Sequence, residues 1–546
     1  MPRSVARFAL VAIAAATGCT HPATSAPPPA PAKAPPGAQA AGRKPGPASR
    51  TPAQPSAAGQ PAPLPPIPPV DGPLAVHVVY PADRQFITSS ESTFVLGSLG
   101  NGHATLTIDG TPAQVYPNGA FMAWVANPPA ADPRYQLVAA LGADTVRVSH
   151  EVRVRVPSRG RPEPPPPPPA LDTTSSWVRL DDPFSTLPDT DDAIVGRAIP
   201  GSTYHWFLLP GTVVRRDGRL GGYTRIALDH ELRIWVPDSL VHAVNDTEPP
   251  RRVTGDGVVR SAPGYEDFVL PVANRPAYFI EERDHAIDLT LYDTHGNTDI
   301  IRYPTGDTLI RRVEWAQVAT DRVRYTLHLS AHPYGYLVLW QDGHFVLRVR
   351  RPPAVDAAHP LRGLVIAVDA GHPPGGATGP TDLHESTAVL AVAQRLQTLL
   401  ESRGAAVVMT RTTPEPVGLE DRAVIARRAE ADAFVSIHLN AFPDGMNPFT
   451  ATEGSATYFY RGQSEPLARA VQQGMVRSMG LPDQGVLFRS LAVARQTWMP
   501  SILCEGAFVI IPQQEAALRT AQFQQAYARG IADGLAAYFR GLGASR

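Results

Sequence analysis

The sequence predicts a multidomain protein in which all-β modules precede a C-terminal three-layer α/β domain with a mostly parallel sheet. Three observations predict this organisation. The chain has 546 residues, too many for a single hydrophobic core. Many of its 59 prolines gather in two stretches that separate folded regions. Short strand-like runs fill the chain up to residue 352, whereas strands alternate with amphipathic helices from residue 361 onward.

Residues 1–19 have the composition of a secretory signal. Arg3 and Arg7 precede the apolar residues 8–16, a stretch too short to span a bilayer as a mature helix. Residues 16–19, Ala-Thr-Gly-Cys, resemble a bacterial lipobox, in which leucine usually stands where this chain has Ala16. The resemblance implies that Cys19 is acylated and anchors the protein to a membrane facing the periplasm or the cell wall. The alternative is an ordinary signal peptide with an incidental cysteine.

Residues 20–73 are predicted to be a disordered linker. They are rich in proline and alanine and nearly free of large apolar side chains, so they cannot bury enough surface to fold. An extended chain of this kind advances about 3.1 Å per residue, so about fifty residues reach on the order of 150 Å. Such a linker can hold a folded domain well away from a membrane.

Two β-rich regions follow the linker. Residues 74–157 contain short strand-like runs with turn signals at Asp109-Gly110 and Asn118-Gly119, which predicts a sandwich that resembles bacterial Ig-like modules. Such a module either binds wall polymer or serves as a spacer. A second Pro-rich break at 158–172 precedes residues 173–352, whose alternating strands resemble an SH3-like barrel and then an AMIN-type β module.

Residues 361–543 have the alternation of an α/β domain. The run GLVIAVDAGH reads as a buried strand, and the helix after it places apolar residues at helical spacing with Gly404 as its C-cap. These apolar residues are Val389, Val392, Ala393, Leu396, Leu399 and Leu400. Three further strands and three further helices continue the alternation, and residues 514–541 are predicted to form one helix.

Four polar residues of this domain are candidates for chemistry. His372, His438 and Glu505 each follow an apolar run, and Glu385 begins the first helix. Open α/β sheets bind ligands at the carboxyl ends of their strands, so we expect the first three at one sheet edge. For each residue alone, a structural role with one local hydrogen bond is an equally good interpretation.

Two histidines and a carboxylate are a usual ligand set for catalytic zinc, with a fourth position left for water. The metal lowers the pKa of that water and polarises a carbonyl oxygen. A further carboxylate is then needed to take the proton of the water and pass it to the leaving amine. Glu505 is the candidate, because an isolated carboxylate on an apolar strand is costly to bury without such a partner.

Five segments of residues 361–541 resemble, in order, the zinc-dependent N-acetylmuramoyl-L-alanine amidases of the Amidase_3 type. They are VIAVDAGHPPGGATG, HESTAVLAVAQRLQTLLESRGAAVVMTR, LEDRAVIARRAEADAFVSIHLNA, EGSATYFY and LAVARQTWMPSILCEGAF. The resemblance implies one zinc ion held by His372, Glu385 and His438, with Glu505 as the catalytic acid/base. It also implies hydrolysis of the amide between the lactyl group of N-acetylmuramic acid and L-alanine of the peptidoglycan stem peptide.

The chain departs from the family pattern at several positions. Pro373 and Pro374 stand where the family usually has glycines, and Ser386 follows Glu385 where lysine is usual. His384 is a rival ligand that the family does not predict. Only residues 441–452 occupy the place where some members carry a long inhibitory helix, which predicts a site not covered by such a helix.

Other residues near the candidate ligands receive weaker predictions. Asp369 and Asn440 flank the histidines and either orient them or cap strand ends. Arg489 and Arg495 are candidates for binding a stem-peptide carboxylate, with a solvated surface position as the alternative. Cys504 is predicted to face away from Glu505 as a buried small residue, not a nucleophile.

The sequence therefore predicts an exported cell-envelope hydrolase that acts on peptidoglycan. Its 49 basic and 50 acidic residues give no basic surplus for binding nucleic acid. Two alternatives are a zinc peptidase or amidase acting on another envelope amide, and a wall-binding scaffold whose amidase-like domain has lost activity. The sequence identifies no protein activator.

Overall fold

The computed structural model describes residues 64–154, 171–182, 194–244, 248–306 and 308–544. The predicted signal peptide with Cys19 and most of the two Pro-rich segments lie outside these residues. The described residues belong to one compact unit, Gly59–Arg546. No helix in this described part of the chain is long and apolar enough to cross a membrane.

The first β module consists of two four-stranded sheets that share one apolar core. Its strands are β1 (His77–Tyr80), β2 (Ser92–Ser98), β3 (Thr105–Ile108), β4 (Thr111–Pro112), β5 (Gln114–Val115), β6 (Ala120–Ala126), β7 (Arg134–Leu141) and β8 (Asp144–Glu151). The sheet orders are β1-β2-β6-β5 and β4-β3-β7-β8. Val95 and Phe121 of the first sheet meet Leu106 and Leu137 of the second in this core, as the alternation of side chains in a packed pair of sheets requires.

The second β module is a seven-stranded antiparallel sheet with the order β11-β10-β14-β13-β12-β9-β15. Its strands are β9 (Ser176–Leu180), β10 (Ile194–Arg197), β11 (Tyr204–Leu208), β12 (Val213–Leu220), β13 (Tyr223–Ala227), β14 (Arg233–Pro237) and β15 (Val241–Ala243).

The third β module has its own core between a five-stranded sheet, β22-β17-β18-β26-β25, and a four-stranded sheet, β19-β20-β24-β23. Its strands are β16 (Arg252–Val253), β17 (Gly257–Ala262), β18 (Tyr265–Pro271), β19 (Tyr278–Arg283), β20 (Ala286–Tyr292), β21 (Thr294–His295), β22 (Ile301–Arg302), β23 (Ile310–Ala319), β24 (Arg322–Leu329), β25 (Gly335–Gln341) and β26 (His344–Arg350).

The C-terminal domain has a six-stranded sheet with the order β28-β27-β29-β32-β30-β31. Its elements are β27 (Val365–Ala370), α1 (Glu385–Ser402), β28 (Ala406–Met409), α2 (Leu419–Arg428), β29 (Ala433–Asn440), β30 (Ser455–Phe459), α3 (Glu465–Met479), β31 (Asp483–Phe488), β32 (Ser501–Phe508), α4 (Pro512–Leu518) and α5 (Ala521–Ala544). Strand β30 runs antiparallel to β32, while the other neighbouring strands are parallel. The predicted mostly parallel sheet is confirmed.

Apolar side chains pack on both faces of this sheet. Ile366, Val435 and Cys504 join the larger core together with apolar residues of α1, α3 and α5, whereas Phe434 and Leu503 face Ala426 of α2. Helix α1 buries the predicted residues except Leu399, which is partly buried. Its C-cap is Arg403, one residue before the predicted Gly404, which follows with a left-handed φ of 87° and ends the helix there, while Ala405 N–H donates to the Leu400 carbonyl.

The prediction of one helix over residues 514–541 is wrong. The chain breaks after α4, and a new helix, α5, begins at Ala521. The hydroxyl of Thr520 accepts a hydrogen bond from Phe523 N–H at 3.2 Å and donates to the Ala517 carbonyl at 2.7 Å. Threonine is a favourable N-cap residue, and this local bonding outcompetes a continuous helix.

All three β modules pack directly on the C-terminal domain. Phe94, Leu96 and Met122 of the first module and Tyr334 of the third belong to its larger core. Arg350 of the third module pairs with Asp432 at 2.8 Å. Arg461 of the C-terminal domain lies over Phe207 of the second module, 4.9 Å from the ring centre.

Candidate metal centre

The carboxyl edge of the C-terminal sheet brings together two histidines and a glutamate. His372 lies two residues beyond β27, His438 lies among the last three residues of β29, and Glu385 is the first residue of α1. One potential ligand atom from each lies within 4.8 Å of the other two. The rings of His372 and His438 are 4.9 Å apart and nearly perpendicular. This is the convergence expected for polar residues at the edge of an open α/β sheet.

The carboxylate of Glu385 lies between the two imidazoles. Its Oε1 is 3.2 Å from His438 Nδ1, and its Oε2 is 3.4 Å from His372 Nε2. Backbone N–H groups of Leu439 and Ala377 donate to Oε1 and Oε2, each at 2.9 Å. These bonds fix the orientation of the carboxylate, so both oxygens face the histidines.

The electrostatics of the pair of imidazoles and Glu385 favour an anionic carboxylate. Burial alone would raise the pKa of Glu385, but the hydrogen bonds and charges of His372 and His438 outweigh burial and hold that pKa far below its usual range. A deprotonated carboxylate and two imidazole nitrogens are a donor set that suits a divalent metal ion such as Zn²⁺. The residues present therefore fit a metal ion.

The loop after β27 orients His372 despite its unusual prolines. Nδ1 of His372 is 3.0 Å from the Pro374 carbonyl, so Nδ1–H donates there and Nε2 faces Glu385. Gly376 has a φ of 106°, and a Cβ atom there would lie 3.1 Å from Cγ of His372. The Pro-Pro-Gly-Gly loop supplies the acceptor and the space that this imidazole needs.

Glu505 stands beside His438 on the neighbouring strand. The two residues are register partners in the parallel pairing of β29 and β32. Glu505 lies inside β32, not beyond its end, which corrects the expectation that it follows its strand. In the described structure its Oε2 is buried without a hydrogen-bond partner. Burial, partly offset by the charge of His438 and reinforced by that of Glu385, raises the pKa of Glu505 to about 7.

Asp369, predicted either to orient a histidine or to cap a strand end, is fully buried. It accepts hydrogen bonds from Arg422 Nη1 at 2.7 Å, Thr410 Oγ1 at 2.5 Å and Ser436 Oγ at 2.6 Å. Arg422 in turn donates to the Ala370 carbonyl at 2.9 Å and the Pro373 carbonyl at 3.0 Å. Asp369 therefore acts on the His372 loop through Arg422.

Arg411, which was not predicted from the sequence, also binds the loop that carries His372. Its guanidinium donates to the carbonyls of Ala370 at 2.8 Å, Gly371 at 2.9 Å and Ser386 at 2.7 Å. These bonds connect the end of β27 to the first turn of α1, and so connect the segments that carry His372 and Glu385. For Arg422, by contrast, the sequence did contain a signal. Arg422 and Ala426 are four residues apart on α2 and form its buried face, and an arginine on a buried face indicates a buried partner.

Two other predicted residues serve local structure. The side-chain oxygen of Asn440 accepts from Ala441 N–H at 2.9 Å, which shapes the turn after β29. His384 is exposed, and its Nδ1 is 3.0 Å from Thr378 Oγ1. The metal-ligand group that includes Glu385 does not include His384 among the described residues.

Arg489 and Arg495 have different surroundings. Arg489 is exposed, and its charge acts to lower the pKa of both Tyr458 and Glu505. Arg495 instead lies over Tyr204 of the second module, 4.6 Å from the ring centre. Cys504 is buried in the larger core, on the face opposite Leu503, as predicted.

Two more groups of histidine and aspartate occur in the described residues, both in the β modules. In one, formed by Asp229, His230 and Asp321, the guanidinium of Arg322 already pairs with Asp229 at 2.5 Å. The other is Asp284, His285 and His332, which are all exposed. Of the three groups, the one with Glu385 has a buried carboxylate whose oxygens both face histidines.

The C-terminal domain is similar in sequence to known proteins. Residues 366–537 match the Amidase_3 family model, N-acetylmuramoyl-L-alanine amidase. YqiI of Bacillus subtilis is 33% identical over 193 residues, which are 34% of this chain and 90% of that protein. The catalytic domain of CwlV, an N-acetylmuramoyl-L-alanine amidase from Bacillus (Paenibacillus) polymyxa var. colistinus, is 33% identical over 32% of this chain and 97% of that domain, with a TM-score of 0.30.

The chain belongs to the N-acetylmuramoyl-L-alanine amidase family. The amidase LytC of Bacillus subtilis is 32% identical over 188 residues, but this chain spans only 37% of its length. The match covers 33% of this chain, so the likeness to LytC concerns the amidase domain and not the β modules.

Proposed function

We propose that this protein is an envelope amidase that cuts peptidoglycan between N-acetylmuramic acid and L-alanine of the stem peptide, using zinc held by His372, Glu385 and His438. The observation that carries the proposal is the anionic Glu385 carboxylate between two imidazoles, with Glu505 beside one of them. When bound there, zinc supplies Lewis acidity that polarises the amide carbonyl and acidifies water.

Glu505 is the residue we assign to proton transfer. In the metal-free protein burial raises its pKa to about 7, and a carboxylate that exchanges protons near neutral pH suits general acid–base chemistry. It takes a proton from the attacking water as the new C–O bond forms, and gives that proton to the alanine nitrogen as the C–N bond breaks. The products are the lactyl carboxylate of the glycan and a stem peptide with a free amino group.

We assign Arg489 to substrate selection. Its charge acts on both Tyr458 and Glu505, which supports a position near the site. A guanidinium matches the carboxylate of a stem peptide in charge and geometry. Arg495 is already occupied by Tyr204 and supports the domain contact in this scheme.

The rest of the chain would place this activity at the wall. Acylation of Cys19 would tether the protein to a membrane, and the linker 20–73 would give it reach. The Ig-like, SH3-like and AMIN-like interpretations of the β modules suit a role in positioning the amidase domain on peptidoglycan.

One experiment tests the proposal: metal content and muropeptide release, measured together on the purified protein with and without a chelator. We expect one zinc ion per chain and chelator-sensitive release of free stem peptides from intact wall. Release of peptides whose new terminus is not the amino group of L-alanine would favour the alternative, a zinc peptidase or amidase acting on another envelope amide. Bound zinc without release of any product would favour the wall-binding scaffold.

A further inference from the structure

Strand β2 of the first β module is buried on both faces. Val95 points into the core of its own module, whereas its neighbours Phe94 and Leu96 belong to the core of the C-terminal domain. Met122 on the adjacent strand β6 also belongs to the core of the C-terminal domain. The outer face of a sandwich sheet is normally polar. This apolar outer face therefore indicates that the first module is permanently docked on the C-terminal domain and is not a passive spacer.

The contact continues at the loop that follows β29. Asp444 lies six residues after His438, and its carboxylate accepts hydrogen bonds from the first module. Thr88 donates its N–H at 2.6 Å and its hydroxyl at 3.0 Å, and Thr93 donates its hydroxyl at 2.5 Å. Thr93 is fully buried and Asp444 is half-buried, so this bond is partly shielded from solvent. Burial and then the charge of Asp444 raise the pKa of Tyr80 from the same module.

The first module also reaches the loop that precedes Glu385. His77 Nε2 is 3.2 Å from Asp382 Oδ1. Strand β6 packs beside α4, whose Glu515 carboxylate accepts hydrogen bonds from Thr381 N–H at 3.0 Å and Leu383 N–H at 3.2 Å. The first module therefore contacts the loop after His438 directly. It contacts the loop before Glu385 both directly and through α4.

We infer that the first β module positions the metal ligands of the amidase domain, with Asp444 and Thr93 as positioning residues. The inference rests on the proposed metal site. The N–H of Leu439 bonds the Glu385 carboxylate, and Leu439 lies five residues before Asp444, so the anchored segment carries one of the bonds that fix Glu385. Outer groups that orient ligands typically change metal affinity or activity by about 10–100-fold when removed.

The test compares three substitutions in the whole protein. Thr93→Val removes the hydroxyl at constant shape, Thr93→Ser keeps it, and Thr105→Val makes the same change at an exposed position of the other sheet. Zinc affinity is measured by competition with a chelator, and amide hydrogen exchange is followed at Leu439 and Ala377. We expect Thr93→Val to bind zinc about 10-fold more weakly and to exchange both amides faster. Thr93→Ser and Thr105→Val should match the parent protein.

The two readouts separate this inference from the proposed function. If the parent binds zinc and Thr93→Val leaves both zinc affinity and exchange unchanged, the positioning role is wrong while the metal site stands. If the parent binds no zinc, the proposed function fails, and the exchange measurement alone decides whether the module holds the Glu385 bonds. A change shared by Thr93→Val and Thr93→Ser would mean that packing, not the hydroxyl, matters, and would overturn the role of the Asp444 bond.

Discussion

His438 and Glu505 are direct register partners on two parallel strands of the amidase domain. Residues opposite each other in a sheet send their side chains to the same face, so the candidate metal ligand and the candidate acid/base stand side by side. Cys504, one residue earlier, must point to the other face, and it is buried in the larger core. Strand pairing alone thus puts the candidate acid/base Glu505 and its neighbour Cys504 on opposite faces of the sheet.

Replacing Glu505 with glutamine should abolish hydrolysis without loss of metal. The amide cannot accept the proton of the water, and general acid–base groups contribute about 10²–10⁴-fold to rate. We expect kcat to fall by that factor in Glu505→Gln with zinc content unchanged. Cys504→Ala, on the opposite face, is the matched control and should keep its activity. Full activity in Glu505→Gln would remove Glu505 from the mechanism.

The raised pKa of Glu505 predicts that metal-free protein loses stability as pH rises. The native carboxyl keeps its proton up to about pH 7, whereas the unfolded carboxyl loses it near its ordinary value of 4.5. At Glu505 the folded state therefore holds its proton between these values, and the contribution of Glu505 to the free energy of unfolding decreases across that window by at most about 3 kcal/mol, then stays level.

Denaturant titrations with chelator at several pH values check this. Glu505→Gln should lack the decrease, so its stability advantage over the parent should grow from pH 4.5 to pH 7. The exposed Glu401, changed to glutamine, should show no such trend. A difference that does not vary with pH would contradict the raised pKa.

The sequence predicted the elements whose pattern is local. The apolar spacing of α1 follows from helical geometry, and Gly404 ends this helix because it adopts a left-handed φ. The convergence of His372, Glu385 and His438 followed from strand order in α/β sheets and from the family resemblance. Long-range side-chain contacts carry no such local signal, which is why the bonds from Arg411 to the carbonyls of Ala370, Gly371 and Ser386 were missed.

The docking of the first module was missed for a related reason. The run Phe94-Val95-Leu96 is apolar at successive positions, which indicates a strand buried on both faces, but an isolated sandwich offers only one buried face. The break between α4 and α5 was missed because the apolar spacing is helical on both sides of it. The hydroxyl of Thr520 caps α5 and so interrupts the helix. Because threonine also occurs inside helices, its presence in the sequence did not indicate a break.

Arg422→Leu should destabilise the protein strongly. The change would leave the Asp369 carboxylate buried without its cation, since these groups pair at 2.7 Å and both are buried. Breaking one side of a buried ion pair typically costs about 3–5 kcal/mol. Thermal and denaturant unfolding measure this, with the exposed Arg428→Leu on the same helix as the control. Adding Asp369→Asn should recover part of the loss, and a double variant as unstable as the sum of the singles would contradict the pairing.

Gly371→Ala should weaken metal binding through His438. Gly371 follows the end of β27, and a Cβ atom there would lie 2.5 Å from both Cε1 and Nε2 of His438. Such an approach is far inside van der Waals contact, so we expect the imidazole to shift from its position beside Glu385. Displacement of a metal ligand of this kind should lower zinc affinity by at least the roughly 10–100-fold typical of lost ligand support. Chelator competition measures the affinity, and Gly541→Ala is the control, because a Cβ atom at Gly541 meets nothing within 4 Å. Unchanged zinc affinity in a folded Gly371→Ala protein would mean that His438 is not a ligand, and it would leave His372 and Glu385 too few to hold the metal alone.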